Sequence, residues 1–96
     1  MIIVVAARTQ PQGKIPVMEQ ILSAGAAAQS ILLAAFALGF NAVWKTGDAA
    51  YDESTKGALG LEAKDAIVGV LYIGTDESEL PPPPRPPVQE FVRRWG

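Results

Sequence analysis

The sequence predicts an α+β fold in which an antiparallel or mixed sheet packs around one long helix. Two runs, IIVVAA and AIVGVLYIG, are apolar and rich in β-branched residues, which is typical of buried strands. Between them lies SAGAAAQSILLAAFALG, whose alanine and leucine are the strongest helix formers. A chain of 96 residues has room for one small domain.

The first predicted strand, IIVVAA, begins directly after Met1. Its unbroken apolar run predicts burial on both faces of the sheet. Such a start is unusual, because chain ends usually lie at the surface and fray. No basic leader or cleavage site precedes the strand, so the sequence predicts no signal peptide.

The long helix is predicted from Val17 to Phe40, with Gly39 as its C-terminal stop. Few polar residues interrupt it, so it belongs either in a core or in a membrane. The stretch from Ile21 to Val43 is long enough to span a bilayer, but its alanine, glycine and serine make membrane transfer weak. We therefore expect no membrane insertion. Its small residues suit either a core helix or a helix packed against a partner subunit.

Three shorter elements follow the long helix. NAVWKT is a predicted strand, and a short helix follows it with Asp52 as N-cap and Gly60 as stop. The second strong strand runs from Ala66 to Gly74, and its continuous hydrophobicity again predicts an interior position. Within this strand, Gly69 predicts a close backbone approach or a bulge.

The last 21 residues, 76–96, form a predicted arm beyond a domain at residues 1–75. The arm contains PPPPRPP, which must be extended because prolines lack amide donors. That segment is either a ligand for an SH3-type groove or, as we prefer, a stiff spacer. An apolar stripe follows if the end is helical, and it would serve as a docking handle. The stripe consists of Val88, Phe91, Val92 and Trp95.

The composition excludes several kinds of chemistry. The chain contains neither cysteine nor histidine, which removes disulfides, thiolate zinc sites, and Cys-His or Ser-His-Asp catalysis. Its net charge of −2 argues against nucleic acid as the main partner. The acidic residues Glu19, Asp48, Asp52 and Asp65 form no acid pair or metal set, and we interpret them as caps and surface charges. Any reaction chemistry must therefore come from a bound cofactor or from another chain.

Four stretches in this order resemble the C-terminal half of a nitroreductase-family flavoprotein. They are SAGAAAQSILLAAFALGF, AVWKTGD, ALGL and AIVGVLYIGT, spread between about Met1 and Thr75. The resemblance implies FMN-dependent homodimers that oxidise NAD(P)H and reduce nitroaromatics, quinones or related acceptors, and the absence of cysteine fits a cytoplasmic location. Members of the family hold their flavin at the dimer interface, and the arm would reach across the partner subunit.

The resemblance also implies that Trp44, Lys45 and Thr46 form a flavin-contacting turn. Lys45 would supply a positive charge to the FMN phosphate or to an electron-rich flavin, and Thr46 would hydrogen-bond the cofactor. Trp44 would stack on the flavin or pack in the core. No catalytic residue and no metal ligand is predicted, because hydride transfer belongs to the flavin ring.

One departure from the family pattern shapes the functional hypothesis. Family members carry an N-terminal half whose arginine-rich motif holds the flavin phosphate, and this sequence has no such motif before Arg93 and Arg94. The departure predicts a truncated or split flavoprotein that needs a homodimer partner or a complementing N-terminal half. The alternative is a non-catalytic dimerisation module that uses the small-residue helix and the arm.

Overall fold

The structure, a computed structural model, describes all 96 residues. It contains three strands, two α-helices and two short 3₁₀ turns, which confirms the α+β fold class. The elements are β1 (Ile2–Ala7), α1 (Val17–Ala37), β2 (Asn41–Lys45), a 3₁₀ turn (Asp48–Tyr51), α2 (Glu53–Ala58), β3 (Ala66–Gly74) and a second 3₁₀ turn (Val88–Glu90).

The three strands form one antiparallel sheet in the order β1-β3-β2. Helix α1 lies on one face of this sheet and contacts all three strands. We call this the inner face and the opposite side the outer face. Side chains alternate between the two faces along each strand, so Ile67, Gly69 and Leu71 of the central strand are buried beneath α1.

Helix α1 ends at Ala37, three residues before the predicted end at Phe40. Gly39 adopts a φ of +86°, a left-handed conformation that costs glycine little. The Phe40 amide donates to the Ala35 carbonyl at 2.9 Å, and the Gly39 amide donates to the Phe36 carbonyl at 3.0 Å. These two bonds form a Schellman motif, which satisfies the last carbonyls and turns the chain towards β2.

Helix α2 is bounded by the residues that the sequence predicts. The Asp52 carboxylate accepts a hydrogen bond from the Thr55 amide at 2.8 Å, which confirms the N-cap. At the other end, Gly60 has a φ of +71° and the Leu61 amide donates to the Lys56 carbonyl at 2.9 Å. A second Schellman motif therefore stops α2 and leads the chain towards β3.

Burial is lower than the sequence predicts for β1 and α1. The predicted two-sided burial of β1 is wrong, since Ile2 is 61% exposed and Val4 is 39% exposed on the outer face. On α1, only Ala28 and Ala35 are buried. By length and composition, α1 is also apolar enough to cross a bilayer. The sheet thus has one covered face, and α1 has one covered side.

The arm makes no hydrogen bond with the rest of the chain, and all its residues are exposed. The predicted apolar stripe does not form, because Val88–Glu90 is a single 3₁₀ turn and no helix follows it. A short helix needs a packing surface, and the four side chains of the stripe are each at least 60% exposed. The projecting arm raises the radius of gyration to 16.6 Å, compared with about 13 Å for a compact domain of 100 residues.

Candidate functional site

Strand β2 sends Trp44 and Lys45 to opposite faces of the sheet. Trp44 pairs with Leu71, which is buried on the inner face, and Lys45 pairs with Val70 on the outer face. Thr46 follows the end of the strand and lies on the same side as Trp44, where both line one cleft. The structure therefore brings Trp44 and Thr46 together and separates the Lys45 side chain from them.

The Trp44 indole is packed between two glycines. A Cβ atom at Gly69 would clash with the indole nitrogen and lie 2.7 Å from Cδ1, whereas one at Gly25 would be 3.8 Å from Cη2. The indole N–H donates to the Val68 carbonyl at 2.9 Å. These contacts confirm the close approach predicted at Gly69, and they establish core packing as one role of Trp44.

The sheet is also irregular beside this tryptophan. The register between β1 and β3 shifts between Val5 and Ala6, so that Val5 pairs with Gly69 and Ala6 pairs with Ile67. Val68 is the extra residue of this bulge, which confirms the second feature predicted around Gly69. The carbonyl that accepts the indole N–H therefore belongs to the bulge residue, Val68.

An open, mainly apolar cleft lies between α1, β3 and the first 3₁₀ turn. Its volume is about 460 Å³, within the range of about 300–1,000 Å³ that is typical of small-molecule sites. Thr46 supplies a hydroxyl, and Trp44 and Tyr51 supply aromatic rings. The cleft is lined by Ile21, Leu22, Gly25, Trp44, Thr46, Tyr51, Ala66, Ile67 and Val68. It contains no charged side chain, so it suits an uncharged planar group.

The main chain of Trp44 faces the open edge of the sheet. Met1 and Ile73 exchange two hydrogen bonds of 2.8 Å, so the Ile73 main chain points towards β1. In an antiparallel ladder these directions alternate, which turns the main chains of Val70 and Tyr72 towards β2. The N–H and C=O of Trp44 consequently point away from β3, where a ligand can reach them.

Lys45 is exposed and forms no ion pair. Its ammonium group is therefore available to an anionic group that approaches from the outer face or from the edge of β2. Two adjacent residues of β2, Trp44 and Lys45, thus offer three kinds of contact: an aromatic face, a main-chain edge and a positive charge.

A polar cluster at the opposite end of β3 corrects the interpretation of Asp65 as a surface charge. Asp65 is only 4% exposed, and its carboxylate accepts hydrogen bonds from the amides of Glu62 at 2.8 Å and Thr9 at 2.9 Å. The Glu62 amide is the main reason that the Asp65 pKa lies below its ordinary value of 3.8. Burial opposes this shift, while the Thr9 amide and the charges of Lys64 and Arg8 support it.

Sequence reasoning missed this cluster because no periodic pattern marks it. Thr9 Oγ1 also donates to the Lys64 carbonyl at 2.8 Å, and Arg8 donates to the Gly60 carbonyl at 3.0 Å. These bonds join the segment after β1 to the segment before β3, which are more than 50 residues apart. A small polar cavity of about 200 Å³ lies there, and the hydrogen bonds around it give the cluster a structural role.

The fold and the cleft define an α+β domain with an aromatic-lined apolar site at the end of an edge strand. The chain belongs to the nitroreductase family, whose model matches residues 1–75. It is 38% identical over 77 residues to Escherichia coli (strain K12) YdjA, which is named as a candidate NAD(P)H nitroreductase. The match covers 80% of this chain and 42% of YdjA.

Other relatives support the same family. A Haemophilus influenzae protein, also named as a candidate NAD(P)H nitroreductase, is 38% identical over 76 residues, which cover 78% of this chain and 41% of that protein. The chain thus spans about two fifths of the length of these curated relatives. The solved structure of a nitroreductase-like family protein from Bacillus cereus matches with a TM-score of 0.81 and 29% identity, covering 96% of this chain and 49% of its own.

A second solved structure agrees in fold. A nitroreductase family protein from Streptococcus pneumoniae TIGR4 matches with a TM-score of 0.65 and 24% identity, covering 85% of this chain and 40% of its own. These comparisons confirm the resemblance to the nitroreductase family, and the structure confirms the predicted sheet beside a long helix.

Proposed function

We propose that this chain forms part of an FMN-dependent NAD(P)H oxidoreductase and supplies one wall of its flavin site. The observation that carries the proposal is the cleft beside Trp44 and Thr46, which lies within the residues that match the nitroreductase family. FMN, when bound, supplies the hydride chemistry for which this chain has no histidine or cysteine.

The residues of the strand end suit different parts of FMN. The apolar cleft and the Trp44 ring suit the flat isoalloxazine, and the exposed Trp44 main chain can bond to its polar edge. Thr46 adds a hydroxyl beside the same cleft. Lys45, with its unpaired charge, suits the phosphate, which would then approach from the edge or the outer face. NAD(P)H is the proposed reductant.

We propose that the other wall of the site comes from residues outside these 96. The cleft is open to solvent, and this chain offers a single unpaired lysine beside the proposed flavin contacts. We propose a homodimer or a complementing N-terminal half as the source of the remaining contacts, in a cytoplasmic enzyme that interacts with neither membrane nor nucleic acid.

An FMN titration tests this assignment. The isolated chain should bind FMN weakly or not at all, and a co-expressed N-terminal nitroreductase half should raise the affinity and allow NAD(P)H oxidation. Lys45→Met should weaken FMN binding to this complex by about tenfold, the equivalent of one lost charged contact of about 1.4 kcal/mol. The matched control is Lys14→Met, since Lys14 lies in the loop before α1, away from the cleft.

Three outcomes would contradict the assignment. Tight stoichiometric FMN in the isolated chain would refute the need for a second wall. No gain in binding or oxidation on co-expression would count against complementation. Equal effects of the Lys45 and Lys14 variants would remove Lys45 from the flavin site.

The exposed arm favours a second candidate, a dimerisation module without catalysis. Phe91 is 73% exposed and Trp95 is fully exposed, although both are large apolar side chains. Light scattering on the Phe91→Ala, Trp95→Ala double variant tests the arm as a clamp. The clamp predicts dissociation to monomers, whereas an unchanged oligomer excludes it, and the Arg85→Ala variant serves as a control within the same arm.

A further inference from the structure

The outer face of the sheet carries a continuous apolar surface that nothing in this chain covers. Tyr72 pairs with Ile2 on one side and with Val43 on the other, so these three side chains form one row. Val4 and Val70 pair in the next row, which ends with Lys45. We call the five apolar side chains of these rows the outer patch: Ile2, Val4, Val43, Val70 and Tyr72.

The exposure of the outer patch is substantial. Ile2 is 61% exposed, Val43 and Tyr72 are each 45% exposed, and Val4 is 39% exposed. When one face of an antiparallel sheet is exposed to water, apolar and polar residues normally alternate along each strand, and the polar residues lie on the exposed face. Here the outer side chains are as apolar as the inner ones. A sheet with two apolar faces belongs between two layers, and α1 supplies one of them.

The arm does not supply the missing layer. Leu80 lies beside Val43 and Tyr72 at one end of the outer patch. Beyond it, the polyproline segment extends at about 3.1 Å per residue and directs the remaining apolar side chains away from the sheet. Phe91 and Trp95 remain exposed, so the arm and the outer patch do not cover each other.

We propose that the outer patch is the docking surface for the complementing half of a nitroreductase domain, which would lay the apolar face of a helix across it. This inference rests on the proposed function. Its occupant is indicated by the Bacillus cereus relative, in which the elements of this chain account for only 49% of the length. A comparable length of chain in that relative lies outside the matched elements, and the outer patch is the apolar face of the sheet that α1 leaves uncovered.

The position of Lys45 links this docking surface to the flavin site. Lys45 shares a row with Val4 and Val70, so a layer placed on the outer patch also covers the lysine side chain. Burial beside an apolar layer strengthens the attraction between an ammonium group and an anion. Docking would thus place the second wall of the flavin site next to Lys45, the charged residue of β2.

A binding assay with defined components tests the docking surface. This chain is mixed with the remaining half of the Bacillus cereus relative, expressed as a separate polypeptide, and the affinity is measured by calorimetry. Val4→Lys and Tyr72→Lys should each weaken binding by at least about tenfold, because a charge would be buried against the apolar helix. The matched controls are Leu33→Lys and Phe36→Lys, which alter exposed apolar residues of α1.

Folding is checked by circular dichroism, and Val4→Thr provides a milder variant that keeps the β-branched shape. An absence of binding, or a loss of binding in the α1 variants only, overturns the proposal. FMN fluorescence in the same complexes separates the two hypotheses. If the complex binds FMN and Val4→Lys does not weaken its assembly, the docking surface is refuted and the flavin assignment stands. If Val4→Lys weakens assembly but the wild-type complex binds no FMN, the flavin assignment is refuted and the docking surface stands.

Discussion

The two faces of the three-stranded sheet have similar compositions and different surroundings. On the inner face, Leu71 is fully buried and the Trp44 indole is packed between Gly25 and Gly69. On the outer face, Tyr72 and its neighbours Ile2 and Val43 are between 45% and 61% exposed. We therefore expect adjacent residues of the same strand to contribute unequally to stability. The inner face holds this chain together, whereas the outer face is available to a partner.

The largest difference between the faces is expected for Leu71→Ala. Removing a fully buried leucine should lower the free energy of unfolding by about 2–5 kcal/mol, because a cavity remains under α1. Val70→Ala changes the neighbouring residue on the outer face and should cost less than half as much. Urea unfolding followed by circular dichroism measures both variants. Equal losses would show that the two faces contribute alike.

A smaller but more local effect is expected for Gly69→Ala. The added methyl group would meet the Trp44 indole nitrogen, and such overpacking costs about 1–3 kcal/mol. The control is Gly74→Ala, since a Cβ atom there meets nothing within 4 Å. Tryptophan fluorescence should change in the first variant only. A Gly69 variant with wild-type stability would contradict the packed position of the indole.

The Asp65 cluster should give a smaller loss of stability that depends on pH. Its pKa is lowered in the folded chain, chiefly by the Glu62 amide, so the carboxylate stabilises the fold above its ordinary pKa of 3.8. That contribution is lost as the pH falls through the lowered pKa. Asp65→Asn should reduce the melting temperature at pH 7 less than Gly69→Ala does, and the difference from the wild type should shrink on acidification.

Thermal unfolding between pH 2 and pH 7 measures this dependence. Asp76→Asn is the control, because Asp76 lies in the exposed arm and makes only local hydrogen bonds. If Asp65→Asn lowers the melting temperature equally at low pH, the loss of stability comes from side-chain packing and not from the carboxylate charge.

The elements of the fold were predictable because their signals are local. Asp52, Gly39 and Gly60 mark helix ends through their own conformations and hydrogen bonds. Gly69 indicates a close approach within the strand, although the sequence does not identify Trp44 as the partner. Burial was harder to predict. The unbroken apolar run of β1 gives both faces of the strand apolar side chains, but it does not specify which part of the protein covers each face.

The site was predictable only in part for a related reason. The three-residue stretch at Trp44 is contiguous in sequence, yet strand alternation places Lys45 on the opposite face from the indole. Asp65 was misjudged because its amide partners, Thr9 and Glu62, belong to irregular segments without periodicity. The flavin contacts of Trp44, Lys45 and Thr46 stay a prediction, as does the division of the chain at residue 75.

The smallest effect is expected for Val4→Thr in the isolated chain. Threonine keeps the β-branched shape of valine, and its hydroxyl can remain hydrated on the outer face, so stability should change by less than about 0.5 kcal/mol. Val5→Thr places the same hydroxyl beneath α1, where burial without a partner costs about 1–3 kcal/mol. Urea unfolding of the two variants, which differ by one position, compares the faces directly. A large loss for Val4→Thr would mean that the outer face is already covered in solution, most simply by a second copy of the chain, and light scattering would then detect the dimer.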